Sequence, residues 1–478
     1  MKRSRCTKIL ATLGPSSSDE ATILALFKAG ADVFRINMSH TDHAAMRGLV
    51  AAIRSVEETV GRPIGILADL QGPKLRLGMF ADDKVALEEG ATFRLDSDDT
   101  PGDETRVQLP HPEILEALEP GHRLLIDDGK VKLVVETVSV EGVDARVEVA
   151  GTVSNRKGVS VPDTTLALSA MTEKDRRDLD AVVEAQVDWV ALSFIQRPDD
   201  LAEVRKITRG RVGVMAKIEK PQAIERLDDI IELSDALMVA RGDLGVEMPL
   251  EKVPGLQKRI VRAARRAGKP VVVATQMLES MISSPTPTRA EVSDVATAVF
   301  EGADAVMLSA ESAAGQHPIE AVRTMDQIAC EVQRDENYAT IIAAQRTEPE
   351  PTGADAIAAA ARQIAETLNL SAIVCYTSSG ATALRVARER PSAPLVVVSP
   401  VRATARRLAL AWGLHCVVSP DAKDVDDMVD RACSVAYQEK FSRPGQRLIT
   451  LAGIPFGTPG ATNLLRVAYV NDDGRGGT

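Results

Sequence analysis

The sequence predicts an α/β protein: a (β/α)8 barrel of the TIM type, a small β-barrel inserted into it as a lid, and a separate α/β domain at the C-terminus. Three observations predict this. The first and middle thirds repeat a short apolar strand and an amphipathic helical pattern about eight times, the count that closes a parallel barrel. Residues 77–160 interrupt that rhythm with short alternating segments separated by Gly, Asp and Pro. A polar, proline-bearing linker, Gln345-Arg-Thr-Glu-Pro-Glu-Pro-Thr-Gly, then precedes a renewed strand-and-helix pattern.

In chain order, the barrel strands are expected at Thr7–Leu13, Asp32–Met38, Ile64–Asp69, Val187–Phe194, Gly213–Ile218, Ala236–Ala240, Pro270–Thr275 and Ala305–Ser309. Each is a largely apolar run, as a strand buried on both faces requires. The barrel therefore takes residues 1–76 and 161–345. The insertion, residues 77–160, contains His122-Arg-Leu-Leu-Ile, Val131-Lys-Leu-Val-Val and Asp144-Ala-Arg-Val-Glu-Val, the grammar of a β-sandwich or small barrel. It leaves the barrel through a βα loop, so it is expected over the mouth as a lid. In the C-terminal domain, residues 346–478, strands are expected at Ala372–Thr377, Leu395–Ser399, His415–Ser419, Leu448–Leu451 and Leu465–Val470, with a loose tail after Val470.

Composition narrows the function. The 478 residues carry a net charge of −11 and only 3% aromatics, with no basic stripe, which argues against a nucleic-acid partner. No apolar stretch approaches the ~20 residues of a membrane span. The basic start Met1-Lys-Arg-Ser-Arg is followed by an apolar run, Ile9–Leu13, too short for a signal peptide. Five scattered cysteines without a Cys-x-x-Cys pair read as reduced residues of a cytoplasmic protein. The six histidines lack the i, i+4 spacing of a helical zinc site.

The chemistry is concentrated in Val214-Met-Ala-Lys-Ile-Glu-Lys-Pro-Gln-Ala and Met238-Val-Ala-Arg-Gly-Asp-Leu-Gly-Val-Glu. Each apolar run ends in charge: Lys217 and Glu219 from the first, Asp243 from the second. Two carboxylates beside a lysine suit Mg²⁺ and a phosphoryl group, since Mg²⁺ takes one or two carboxylates plus substrate oxygens. Arg35 and Arg76 follow the second and third strands, where their planar forks can clamp phosphate. Neither Gly129-Lys130 nor Gly268-Lys269 is followed by the Ser or Thr of a P-loop. No Gly-x-Gly-x-x-Gly dinucleotide fingerprint follows a strand either.

Together with Ala274-Thr-Gln-Met-Leu-Glu-Ser-Met, Pro287-Thr-Arg-Ala-Glu and Arg35-Ile-Asn-Met-Ser-His, these segments resemble the signature blocks of pyruvate kinase, in order and over almost the whole chain. The resemblance implies phosphoryl transfer from phosphoenolpyruvate to ADP, giving pyruvate and ATP. It implies Glu219 and Asp243 as Mg²⁺ ligands, with Mn²⁺ able to substitute, and Lys217 as the cation on the phosphoryl group in flight. Gly242 and Asp243 would bring backbone amides to the substrate carboxylate. Thr275 would sit at the pyruvate methyl, while Ser309 and Glu311 would form a proton relay, although a strand-end hydroxyl is otherwise usually a helix cap. Lys157 and His40 would meet nucleotide phosphates.

One departure from the family's pattern is informative. Potassium-dependent members carry Thr-Lys-Gly-Pro-Glu after the third strand, where this chain reads Asp69-Leu-Gln-Gly-Pro-Lys-Leu-Arg-Leu77. Asn37, Ser39 and Asp69, which would ligate potassium in the family, are present. Lys74 brings a fixed charge instead, and Leu70, Gln71 and Leu77 agree with a potassium-independent pattern, so potassium is expected not to be required. Thr377-Ser378-Ser379-Gly380-Ala381-Thr382 resembles the family's sugar-phosphate effector loop, or else is a capped βα turn without a ligand. The facing loop Gly453-Ile-Pro-Phe-Gly-Thr-Pro-Gly460 has no Arg or Lys, which favours a monophosphate. A homotetramer is implied as well. A Mg²⁺-dependent barrel lyase or mutase would share Glu219 and Asp243 but leaves the lid and C-terminal domain unexplained; a dead sugar-phosphate sensor would have lost the metal ligands.

Overall fold

The computed structural model describes residues 2–164, 166, 169–456 and 461–477. Eight parallel strands close the barrel: Lys8–Leu13, Val33–Asn37, Gly65–Asp69, Trp189–Leu192, Gly213–Ile218, Ala236–Ala240, Val271–Ala274 and Ala305–Leu308. Lys8 lies opposite Ala305, which completes the ring, and Asn37 lies opposite Asp69. The continuous apolar runs are explained by burial on both sides. In the first strand, Leu10 points into the lumen, while Ile9 and Ala11 pack against the outer helices.

The helices obey the same logic. The helix His43–Val60 begins where Asp42 accepts a hydrogen bond from the Ala45 amide at 2.8 Å. It stops at Gly61, whose φ of 66° is the left-handed conformation that glycine enters most cheaply. Met46, Leu49, Val50, Ile53 and Val56 form its buried stripe.

The insertion folds as a six-stranded sheet and a two-stranded sheet, with Phe93, Leu124 and Leu133 fully buried in its core. Two adjacent chain segments tie it to the barrel. The Leu77 amide donates to Lys157 O at 2.9 Å, and the Val159 amide donates to Leu75 O at 3.0 Å. Arg76 and Gly158 are thereby bridged at the junction.

In the C-terminal domain the sheet runs Leu414–Val418, Leu395–Ser399, Ile373–Tyr376, Arg447–Ala452, Leu464–Val470 and Gly476–Gly477. Its first four strands are parallel, and the strand order reverses between Ile373–Tyr376 and Arg447–Ala452. That is the switch point where open α/β sheets form a crevice. The tail is not loose, contrary to the sequence expectation. Gly474 turns the chain at φ 82°, Gly476 pairs with Val470, and the Gly476 amide donates to Asp430 Oδ1 at 3.1 Å.

The C-terminal domain also completes the barrel. Ala409 and Leu410 enter the lumen cluster with Leu10, Trp189 and Met215, and Leu410 is fully buried. Arg406 clamps Glu57 at 2.6 Å, and Arg390 pairs with Asp304 at 3.0 Å. Leu410→Ala should therefore destabilise the full chain by ~2–5 kcal/mol, the cost of a cavity in a packed core. Urea denaturation checks this; an unchanged midpoint would make the contact incidental.

Candidate active site

The charged residues read from the sequence converge at the C-terminal mouth of the barrel. A cavity of about 240 Å³ there is lined by Arg35, His40, Asp69, Lys74, Arg76, Lys217, Glu219 and Asp243, and by residues 158–160 at the lid junction. Parallel strands put this together because each ends at the same rim and delivers its first polar side chains there.

At its centre Lys217 is buried between carboxylates. Its Nζ lies 2.7 Å from Glu219 Oε1 and 3.3 Å from Asp69 Oδ1, and donates to Ser193 Oγ at 2.7 Å. Ser193 in turn donates to Leu70 O at 2.9 Å. Asp69 Oδ2 also holds Arg35 Nη2 at 2.7 Å, while Arg35 Nη1 donates to Thr12 Oγ1 at 3.1 Å. Glu219 Oε2 accepts from the Phe194 amide at 2.8 Å.

The electrostatics follow from this packing. Burial alone would lower the Lys217 ammonium, but Asp69 and Glu219 outweigh it and raise its pKa above the usual lysine value. Burial opposes ionisation of Asp69 too, yet Lys217 and Arg35 hold its carboxyl below the usual range. Glu219 behaves differently. Burial pushes it up to about 7 against the pull of Lys217, and Asp243 adds to the rise. A divalent cation would relieve that repulsion. Among the described residues no cluster of three or more His, Cys, Asp or Glu side chains could hold a metal. Two carboxylates fit Mg²⁺, which keeps water and substrate oxygens as its remaining ligands.

Thr275 stands beside this cavity rather than in its lining. Its Oγ1 accepts from the Gly242 amide at 2.7 Å, which joins it directly to the Gly242-Asp243 turn and commits that amide. Thr275 and Gln276 have φ of 70° and 55°, a costly conformation for a β-branched residue. Arg241 holds them there: Nη2 donates to Thr275 O at 2.6 Å, and Nη1 pairs with Asp294 at 2.6 Å. Ser309 caps no helix with its hydroxyl. Glu311 takes that role, accepting from the Ser309 amide at 2.7 Å and the Leu278 amide at 3.2 Å, and burial raises its pKa.

Lys157 is not brought into the cavity; its Nζ pairs with Asp127 on the lid at 2.8 Å. Arg76 faces the cavity while Nη1 donates to Arg156 O at 2.8 Å. Lys74 is exposed to the cleft and forms no ion pair among the described residues, whereas Asn37 Oδ1 accepts from the Ser39 amide at 3.1 Å. In the C-terminal loop, Thr377 Oγ1 accepts from the Gly380 amide at 2.9 Å, Ser379 Oγ accepts from the Ala381 amide at 3.4 Å, and Thr382 bonds Thr462 at 2.7 Å. Those bonds account for the loop as a capped turn; among the described residues, Ser378 alone of the loop's hydroxyls has no hydrogen-bond partner. Of the facing loop, residues 457–460 lie outside the described residues.

Sequence reasoning missed Arg241, Ser193 and the Lys220–Glu247 pair, 2.5 Å apart at the cavity wall. Arg35 lies within the strand Val33–Asn37 rather than after it, contrary to the sequence expectation; Arg241, directly after Ala236–Ala240, meets the strand-end criterion and could have been found by it. The Lys220 pairing has no local signal.

Fold and site together define a barrel enzyme of the phosphoryl-transfer class, with a lid over the mouth and a docked α/β domain. The barrel domain of pyruvate kinase matches residues 4–322, and the family's alpha/beta domain matches residues 355–468. A pyruvate kinase of Methylorubrum extorquens is 64% identical over 98% of both chains. One from Corynebacterium glutamicum is 46% identical over 98% of this chain and 99% of its own. The crystal structure of a pyruvate kinase from Cryptosporidium parvum superposes with a TM-score of 0.92 at 31% identity, covering 98% of this chain and 96% of its own. The chain belongs to the pyruvate kinase family and is a phosphotransferase.

Proposed function

We propose that the chain uses this mouth to transfer the phosphoryl group of phosphoenolpyruvate to ADP, giving pyruvate and ATP, the last step of glycolysis. The observation that carries the reading is the Lys217 ammonium, kept charged by Asp69 and Glu219 at the floor of a cavity 240 Å³ in volume. A preorganised cation of this kind stabilises charge on a transferring phosphoryl group without reorganising during the reaction.

Arg35 contributes a second fixed charge. Asp69 and Thr12 orient its guanidinium, and the remaining N–H groups are available to a phosphate. Glu219 and Asp243 would hold Mg²⁺ or Mn²⁺, which supplies charge neutralisation between the reacting phosphates when bound. His40 and Arg76 extend the positive rim toward a nucleotide. Lys157 would join them only if lid closure broke its pair with Asp127. Thr275 is the residue assigned to organising enolate protonation, and Thr275→Ala should slow exchange of labelled pyruvate protons; unchanged exchange would leave it a packing role. Ser309, whose hydroxyl has no hydrogen bond among the described residues, is a better relay candidate than Glu311, whose carboxylate is committed to two amides.

The regulatory reading is that a sugar monophosphate activates the enzyme through residues 377–382. Its support is the position of that loop at the switch point of the sheet. Activation fails as a proposal if Thr382→Asp leaves the response to sugar phosphate unaltered. A homotetramer in the cytoplasm completes the reading; sedimentation of the purified chain tests the former. No helix among the described residues is long and apolar enough to cross a membrane.

Two outcomes are expected. Lys217→Met should lower turnover at least a hundredfold, since a charge at this place is worth at least ~3 kcal/mol. Steady-state assays on the folded variant check it, and near-normal turnover would remove Lys217 from the chemistry. Full activity should persist when potassium is replaced by a bulky cation, while Lys74→Glu should lose activity there and regain part of it with potassium. A wild-type enzyme inactive without potassium would mean that Asn37, Ser39 and Asp69 hold a real ion.

A further inference from the structure

The lid joins the barrel where Arg76 and Gly158 face each other in an antiparallel bridge. The bonds that form it, from the Leu77 amide to Lys157 O and from the Val159 amide to Leu75 O, belong to the flanking residues. In such a ladder the residue between them turns its own N–H away from the partner strand. The Arg76 amide therefore needs another acceptor. It finds one in the lid, donating to Nε2 of His111 at 3.1 Å across 35 residues of chain.

The His111 ring is not spent on local structure. It stands immediately before the helix Pro112–Ala117, where a polar side chain ordinarily caps the first turn, yet it makes no capping bond. Ile114 is fully buried in the lid core, and its amide donates to His111 O at 3.0 Å, so the ring stands on a fixed base. Its other nitrogen, Nδ1, lies 3.5 Å from Glu113 Oε1 in the first turn of that helix. A ring nitrogen that accepts from an amide carries no proton, which leaves the proton on Nδ1, facing Glu113.

The consequence falls on Arg76. Its guanidinium lines the catalytic cavity, with Nη1 donating to Arg156 O at 2.8 Å. Its main chain is held by the bridge on one side and by the imidazole on the other.

We propose that His111 is a positioning residue for Arg76: by accepting from the Arg76 amide it fixes the backbone from which the guanidinium reaches the cavity rim. The proposal rests on the reading of Arg76 as a cation that meets the nucleotide. The bond exists only while Nε2 is unprotonated. Once that nitrogen gains a proton, two N–H groups oppose each other and the contact is lost. The charged side chains at this junction are Glu113 on the ring's own helix, and Arg76, Arg156 and Lys157 on the two segments that tie the lid to the barrel; Lys157 is paired with Asp127 at 2.8 Å.

The test is steady-state kinetics of the full chain with His111→Phe, which keeps a ring but no acceptor, and His111→Gln, whose amide oxygen can accept without titrating. His111→Phe should raise the KM for ADP at least about fivefold, the worth of one hydrogen bond of ~1 kcal/mol, with kcat and the KM for phosphoenolpyruvate near wild type. His111→Gln should recover most of that loss. From about pH 8 to about pH 5.5, where a histidine gains its proton, the KM for ADP of the wild type should rise relative to that of His111→Gln. A ¹⁵N spectrum of the histidine-labelled protein should show the His111 proton on Nδ1 at the upper end of that range. The proposal is overturned if His111→Phe keeps the wild-type KM for ADP while Arg76→Gln does not, if the wild type and His111→Gln share one pH profile, or if the proton is found on Nε2. A wild-type KM for ADP in Arg76→Gln would instead remove the nucleotide reading of Arg76, and this proposal with it.

Discussion

The burial of Lys217 is the constraint on which the rest of the site depends. An ammonium removed from water is expensive unless carboxylates meet it, and removing one partner of a buried pair costs ~3–5 kcal/mol because the other charge is stranded. Asp69, Ser193 and Lys217 come from three neighbouring barrel segments, the third, fourth and fifth strands and their ends. Parallel pairing of these three strands in register brings them within hydrogen-bonding distance. A buried ion cluster is weak evidence for stability, since apolar residues often pack such a space better. Its persistence at a concave mouth is better understood as preorganisation for a charged substrate.

That cluster is held from two sides. Arg241 locks Thr275 and Gln276 into left-handed backbone conformations, and Thr275 fixes the turn that carries Asp243. On the other wall, Lys220 and Glu247 tie the segment after Glu219 to the helix that begins at Arg241. Glu219 and Asp243 are thus positioned by independent struts. The lid hangs from two hydrogen-bonded chain segments at Leu75–Leu77 and Lys157–Val159. Residues 158–160 of that junction stand at the cavity edge.

Much of this was legible in the sequence because barrel strands are local signals. All eight were located by apolar runs, and Lys217, Glu219 and Asp243 by the charge that ends them. The family resemblance added roles that no spacing could supply. What stayed hidden was long-range pairing. Nothing near Lys157 announces Asp127, nothing near Leu410 announces that it plugs the lumen, and the polar tail gives no sign that Gly476 will pair with Val470. The hydroxyls of residues 377–382 suggested a ligand, whereas the folded loop uses most of them on its own backbone and on Thr462. Such partners are selected by tertiary packing, which propensity and periodicity do not encode.

Two functions are proposed within one cluster: Glu219 and Asp243 would hold the divalent cation, and Lys217 would supply a charge to the phosphoryl group. Equilibrium binding of Mn²⁺ to wild-type and Lys217→Met protein, followed by electron paramagnetic resonance, tests that division directly. Removing the ammonium frees Glu219, so the variant should bind Mn²⁺ as tightly as the wild type or more tightly even though turnover has collapsed. Loss of Mn²⁺ binding in a folded Lys217→Met protein would contradict the account and make the lysine part of the scaffold for the metal.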